Sequence, residues 1–123
     1  MKVLGLYKAP LRTANVQETL ADAAGTMTFH EVGALPVFDD GTIVGIITER
    51  DIVRAIAEEA DVRTVTVGEY MTPGPIAVSP DTELDEARRL MSRHGARHLP
   101  VIDDHGRIVG MLSARDLLSE ERA

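Results

Sequence analysis

Apolar residues recur along this chain in two rhythms. Leu20, Ala23, Ala24 and Met27 fall at the three-to-four-residue spacing of a helix with one buried face, and Leu84, Ala87 and Met91 do the same further on. In the later stretch Thr82 stands where an N-cap belongs, followed by Glu83, Asp85 and Glu86, where acids suit the helix dipole. In the earlier one, Asn15 or Thr19 supplies the cap. An apolar run, an acidic-glycine turn and a second apolar run come next. Val37-Phe38, the turn at Asp39-Asp40-Gly41, and Ile43 to Ile47 read as a β-hairpin. Pro36 has no N–H for a central ladder, which fits an edge or strand-start position. Further helices are predicted from Glu49 to about Ala57 and from Ala114 to about Glu120. Short strands are predicted near Leu11 to Ala14 and near Ile76 to Ser79.

The same order of elements occurs twice. Leu35-Pro36-Val37-Phe38-Asp39-Asp40-Gly41 returns as Leu99-Pro100-Val101-Ile102-Asp103-Asp104, then His105 and Gly106. Ile43-Val44-Gly45 returns as Ile108-Val109-Gly110, and Thr48-Glu49-Arg50-Asp51 as Ser113-Ala114-Arg115-Asp116. The offset is 64 residues before the turn and 65 after it, the difference being His105. Upstream, Leu20, Ala23, Met27 and His30 match Leu84, Ala87, Met91 and His94 at the shorter offset. The reading is a first domain at residues 8–60, a linker at 61–75 ending in the helix-breaking Thr72-Pro73-Gly74-Pro75, and a second domain at 76–121. Each copy is β-α-β-β-α. The fold class is α/β (α+β), with two tandem units expected to pack sheet to sheet about a pseudo-twofold axis. A unit of about 60 residues buries only ~60% of its unfolded surface, so the two are expected to share a core.

Composition narrows the functions open to such a pair. Hydrophobic residues are 44% of the 123, and aromatics only 3%, so the core must be aliphatic. The net charge of −7, with no basic stretch, disfavours nucleic acid and anionic membrane surfaces. The absence of cysteine excludes disulfides and thiolate zinc sites. No signal peptide and no bilayer-spanning run is read in the sequence, and the expectation is a cytoplasmic protein.

Leu-Pro-Val, an acidic-glycine turn, Ile-Val-Gly and then Thr/Ser-x-x-Asp, in order and twice over, resemble the CBS domain, named for cystathionine beta-synthase. Val67-Gly68-Glu69-Tyr70-Met71-Thr72 resembles the lead-in such domains carry. The resemblance runs from about Leu11 to Glu120. It implies a Bateman module, two domains whose clefts take AMP, ADP, ATP or S-adenosylmethionine as regulatory ligand. Such modules act on a partner protein and often form homodimers. The apolar residues of the first helices, Leu20, Met27, Leu84, Leu90 and Met91, are the expected contact area. The resemblance places the ligand against Leu35, Pro36, Thr48 and Asp51 of the first copy. In the second copy it places it against Ile76, Arg97, His98, Leu99, Pro100, Ser113, Arg115 and Asp116.

Each of these features also has a plain structural explanation. Thr48-x-x-Asp51 and Ser113-x-x-Asp116 have the spacing of a capping box. A first-turn carboxylate can equally accept both hydroxyls of a ribose, and the resemblance assigns the aspartates that role. Arg97 offers a planar fork for phosphate oxygens and His98 a further donor, although both also suit a solvated loop. The first copy has Gly33-Ala34 at that place, which makes its cleft the poorer phosphate site. His30 and His94 suit the dipole at a helix C-terminus, and the four histidines lack metal-ligand spacing. There is no nucleophile elbow and no phosphate loop of the G-x-x-x-x-G-K-[ST] type, so no enzyme activity and no catalytic cofactor are expected. The alternative is an interaction scaffold that keeps the fold without a ligand.

Overall fold

The structure, a computed structural model, describes residues 1–7 and 12–122. The chain divides into two compact units. The first is Arg12–Pro75; the second joins the amino-terminal segment to the chain from Ile76 onward.

In the first unit β1 (Ala14–Asn15), α1 (Leu20–His30), β2 (Ala34–Asp39), β3 (Thr42–Thr48), α2 (Glu49–Ala57), α3 (Val67–Tyr70) and β4 (Thr72–Pro73) follow in order. The sheet runs β1-β2-β3-β4, with β1 parallel to β2 and the other pairs antiparallel. In the second unit come α4 (Leu84–His94), β5 (His98–Ile102), β6 (Ile108–Ser113) and α5 (Ala114–Arg122). β5 and β6 form an antiparallel pair, and Val78 joins Val101 through a parallel bridge. The architecture is α+β, with the β-α-β-β-α order expected from the repeat. Ala14 pairs with Val37 as Val78 pairs with Val101, so the short first strands keep the 64-residue offset. The part of the first strand expected at Leu11 lies outside the described residues.

Helix periodicity places the cores. In the first unit Ala14, Leu20, Ala23, Met27, Leu35, Val37, Ile47 and Val67 are buried in one cluster. Their counterparts Val78, Leu84, Ala87, Met91, Leu99, Val101, Leu112 and Val3 form the other. Each unit therefore carries an aliphatic cluster of its own, matched at these eight positions. This burial overturns one expectation for four of its five residues, Leu90 being half-buried against the second core. Leu20, Met27, Leu84 and Met91 are at most 7% exposed and so offer no surface to a second chain. They lie on the helix faces turned to the sheets. The large apolar side chains left outside include Phe29, Val53 and Ile56 of the first unit, exposed by 82%, 65% and 61%.

The turns follow their residues. Asp40 and Gly41 have φ of 50° and 80°, a type I′ hairpin turn. The turn that carries His105 is held by Oδ1 of Asp103, which accepts the N–H groups of His105 and Arg107, each at 2.9 Å. Both hairpins shift register at the same place, after Val37 and after Val101. Pro36 is the third residue of β2, an inner strand rather than an edge. The second unit shows why this is tolerated. Val78 N–H donates to the Pro100 carbonyl at 3.0 Å and Ile102 N–H to the Val78 carbonyl at 2.8 Å, and the parallel ladder begins there. Proline sits where no further N–H is required.

Helix starts match across the repeat, but their caps do not. Thr19 caps α1, its hydroxyl accepting from Asp22 N–H at 3.1 Å. Thr82 does not cap α4. The N-cap is Glu83, and the Thr82 hydroxyl accepts from Ser79 N–H at 2.9 Å instead. The Leu84 N–H is already taken by the Met1 carbonyl at 2.7 Å, as the Leu20 N–H is by Val65 at 3.0 Å.

Those last two bonds belong to a reciprocal exchange of lead-in segments. Residues 65–68 serve the first unit: Val67 N–H donates to Glu18 and Gly68 N–H to Val16. Residues 1–4 serve the second: Val3 N–H donates to Thr82 and Leu4 N–H to Pro80. The bridge Thr19–Thr66 has its counterpart in Lys2–Glu83. The stretch before each repeat thus completes the other repeat's unit. Residues 72–73, read in the sequence as a helix breaker, form β4 along β3. Gly45 makes that approach possible, since a Cβ there would stand 2.6 Å from both the Thr72 carbonyl oxygen and Met71 Sδ.

Candidate functional site

A strand runs directly into a helix at Thr48–Glu49 and again at Ser113–Ala114, and the chemistry-bearing residues gather at these junctions. The first is a full capping box. Thr48 Oγ1 accepts from Asp51 N–H at 3.2 Å, while Asp51 Oδ2 accepts the Thr48 N–H at 2.9 Å and the Thr48 hydroxyl at 3.0 Å. Asp51 is buried, at 8% exposure. The second junction repeats the pattern with fewer bonds. Asp116 Oδ2 accepts the Ser113 N–H at 2.9 Å and Ser113 Oγ accepts from Asp116 N–H at 3.2 Å. Asp116 is half-buried.

Strand register decides what stands beside each junction. His98 lies opposite Ser113, and the Ala114 N–H donates to the Arg97 carbonyl at 2.8 Å. Arg97, His98, Ser113, Arg115 and Asp116 therefore come together at one end of the β5–β6 pair. Arg97 and Arg115 are exposed and His98 is half-buried. In the first unit Ala34 lies opposite Thr48, and Glu49 N–H donates to the Gly33 carbonyl at 3.0 Å. The backbone is the same, yet Gly33 and Ala34 carry no side-chain donor where Arg97 and His98 do. Ile76 is half-buried against the second core. Leu35, Pro36, Leu99 and Pro100 are buried within the strands, so a ligand could meet little of them beyond backbone.

Two residues that sequence reasoning passed over belong to the first junction. Arg54, one turn after Asp51, brings Nη2 to 3.5 Å from Asp51 Oδ1 and donates to the Tyr70 carbonyl at 3.1 Å. Its guanidinium lies 4.9 Å from the centre of the Tyr70 ring. The Tyr70 hydroxyl donates to Glu58 at 2.7 Å, and that carboxylate holds the phenol above its ordinary pKa. The i,i+3 spacing of Asp51 and Arg54 was a visible signal; the arrival of Tyr70 from the lead-in was not.

The histidines stand apart from the junctions apart from His98. His30 meets Phe29 edge to face at 4.9 Å, and His105 is in the turn. Among the described residues no group of three or more His, Asp and Glu is placed to hold a metal ion. Among them, too, no helix is long and apolar enough to cross a membrane.

The repeated hairpin-to-helix junction with its Thr/Ser-x-x-Asp box is matched by one family, the CBS domain, at residues 6–58 and again at 67–122. The chain belongs to the CBS domain family. A 17.7 kDa protein of Acidianus ambivalens is 45% identical over 100 residues, covering 80% of this chain and 60% of that protein. Among solved CBS structures, a protein from Burkholderia ambifaria is 34% identical, with a TM-score of 0.91 over 98% of this chain and 93% of its own. The CBS domain pair of protein MJ0100, solved with 5′-methylthioadenosine and S-adenosyl-L-methionine, is 30% identical, with a TM-score of 0.88 over 100% of this chain and 98% of its own. CBSX2, solved with AMP, is 26% identical, with a TM-score of 0.80 over 98% of this chain and 96% of its own. CBS pairs similar to this one thus hold adenosine compounds.

Proposed function

We propose that this CBS pair is a regulatory module that binds an adenosine nucleotide (AMP, ADP or ATP) or S-adenosylmethionine and acts on a partner protein rather than as an enzyme. The observation that carries this reading is the meeting of Arg97, His98, Ser113 and Asp116 at the start of α5. Asp116 is the acceptor for a ribose diol. Arg97 is the phosphate fork, and it has much to supply, because two N–H groups at the start of α5 are already engaged by Arg97 O and Ser113 Oγ. The adenosine compounds in two similar CBS structures support the choice of ligand class. The first unit, with Gly33-Ala34 beside its box, is the weaker phosphate site.

The module acts as a homodimer in the cytoplasm in this reading. Phe29, Val53 and Ile56 supply the apolar contact that the buried helix residues do not. A thermal-shift screen with AMP, ADP, ATP and S-adenosylmethionine tests the ligand. One of them should raise the melting temperature; at 100 times its dissociation constant it adds about 2.7 kcal/mol. No shift with any of the four at millimolar concentration would favour a ligand-free scaffold instead.

A further inference from the structure

The two aspartates differ in how much of each carboxylate is already used. A carboxylate offers about four lone-pair sites. Asp51 accepts two donors from Thr48 on Oδ2 and faces Arg54 with Oδ1. Among the described residues, Asp116 accepts only the Ser113 N–H. A ribose diol brings two donors, which Asp116 has room for and Asp51 does not.

Arg54 is ordered before any ligand arrives. An exposed ion pair usually loses most of its gain to the entropy of holding a long side chain in place. Here the Tyr70 carbonyl and ring already hold the guanidinium, and Glu58 holds Tyr70. The repeat shows that this arrangement belongs to one copy. At the 65-residue offset the position of Arg54 is Ser119, and at the 64-residue offset the position of Tyr70 is Leu6.

We infer that Arg54 is a specificity-determining residue: held by Tyr70, it occupies the open edge of Asp51 and keeps the first repeat from taking an adenosyl ribose. The chain then binds one ligand, at Asp116. This rests on the nucleotide-binding reading and adds that the two repeats differ in ribose recognition as well as in phosphate recognition.

Equilibrium dialysis with labelled adenosine, which has no phosphate, and with AMP tests it. Wild type should bind one molecule of either per chain. R54Q removes the charge and keeps a donor for Tyr70, and it should raise the stoichiometry to two for both probes. R54K keeps the charge and should leave it at one, an outcome that a merely structural role would not produce. Asp116→Ala alone should bind none, whereas Asp116→Ala in the R54Q background should keep one. Two molecules on wild type, one on R54Q, or two on R54K would overturn the inference while leaving the nucleotide reading intact. Binding of neither probe by wild type or R54Q would overturn both.

Discussion

The two units share a backbone plan, a core and a box at the start of the last helix, yet they spend their side chains differently around that box. The first surrounds Asp51 with its own groups: two donors from Thr48, the cation of Arg54 and, behind it, Tyr70 and Glu58. The second leaves Asp116 half-buried with, among the described residues, a single donor, and sets Arg97 and His98 beside it. A repeat thus separates what a fold requires from what a site requires. The shared positions hold the fold and the box itself, and the differing positions around the box set what it can bind.

Core substitutions test the first half of that statement and should have the largest effects. Leu35 and Leu99 are counterparts, exposed by 0% and 1%. Leu35→Ala and Leu99→Ala should each cost about 2–5 kcal/mol in urea denaturation. Values differing severalfold would break the equivalence of the cores.

Much of this architecture was legible in the sequence. Periodicity gave α1 and α4, and the Asp-Gly turn with its flanking apolar runs gave the hairpins. The constant offset tied both to one plan. Three things were not legible, for physical reasons. The exchange of lead-ins rests on backbone bonds between distant segments, and backbone bonds leave no residue pattern. Thr82 has the residue type of a cap, but α4 starts one residue later, with Glu83 as N-cap, and the Thr82 hydroxyl takes the Ser79 N–H instead. Leu20 and Met27 looked available for a partner because an amphipathic helix does not say which apolar residues its own sheet will cover. At the site, the capping boxes and Arg97 were readable, whereas the Arg54–Tyr70 contact needed the tertiary fold.

Gly45 tests the close approach of β4 in the first unit. Gly45→Ala places a Cβ against the Thr72 carbonyl, which cannot swing aside as a side chain could, and should cost about 1–3 kcal/mol. A neutral substitution would mean that β4 is loosely held.

A smaller effect, of opposite sign, lies at the ends of α1 and α4. Glu31 and Gly95 are counterparts, both left-handed, with φ of 55° and 62°. Glycine holds that conformation without strain and glutamate does not. Glu31→Gly should stabilise the protein by about 0.5–1 kcal/mol in thermal denaturation. A loss of stability would show that the Glu31 side chain contributes more than its backbone strain costs.

The smallest effects concern pH. The N–H and hydroxyl of Thr66 hold the Glu69 carboxyl below its ordinary pKa, and the N–H groups of Arg107 and His105 do the same for Asp103. A carboxyl lowered in the folded state adds stability above its unfolded pKa and loses it as pH falls through the folded one. Glu69→Gln and Asp103→Asn should therefore be slightly less stable than wild type at neutral pH and converge with it in acid, once pH falls through the lowered folded pKa. A gap that persists in acid would assign these contacts to hydrogen bonding without charge.

The central claim is that the two boxes are unequal, and calorimetric titration of AMP into Asp51→Ala and Asp116→Ala tests it most directly. The account predicts that Asp51→Ala keeps the tight binding event of wild type and that Asp116→Ala abolishes it. Equal losses in the two variants, or loss in Asp51→Ala alone, would contradict it.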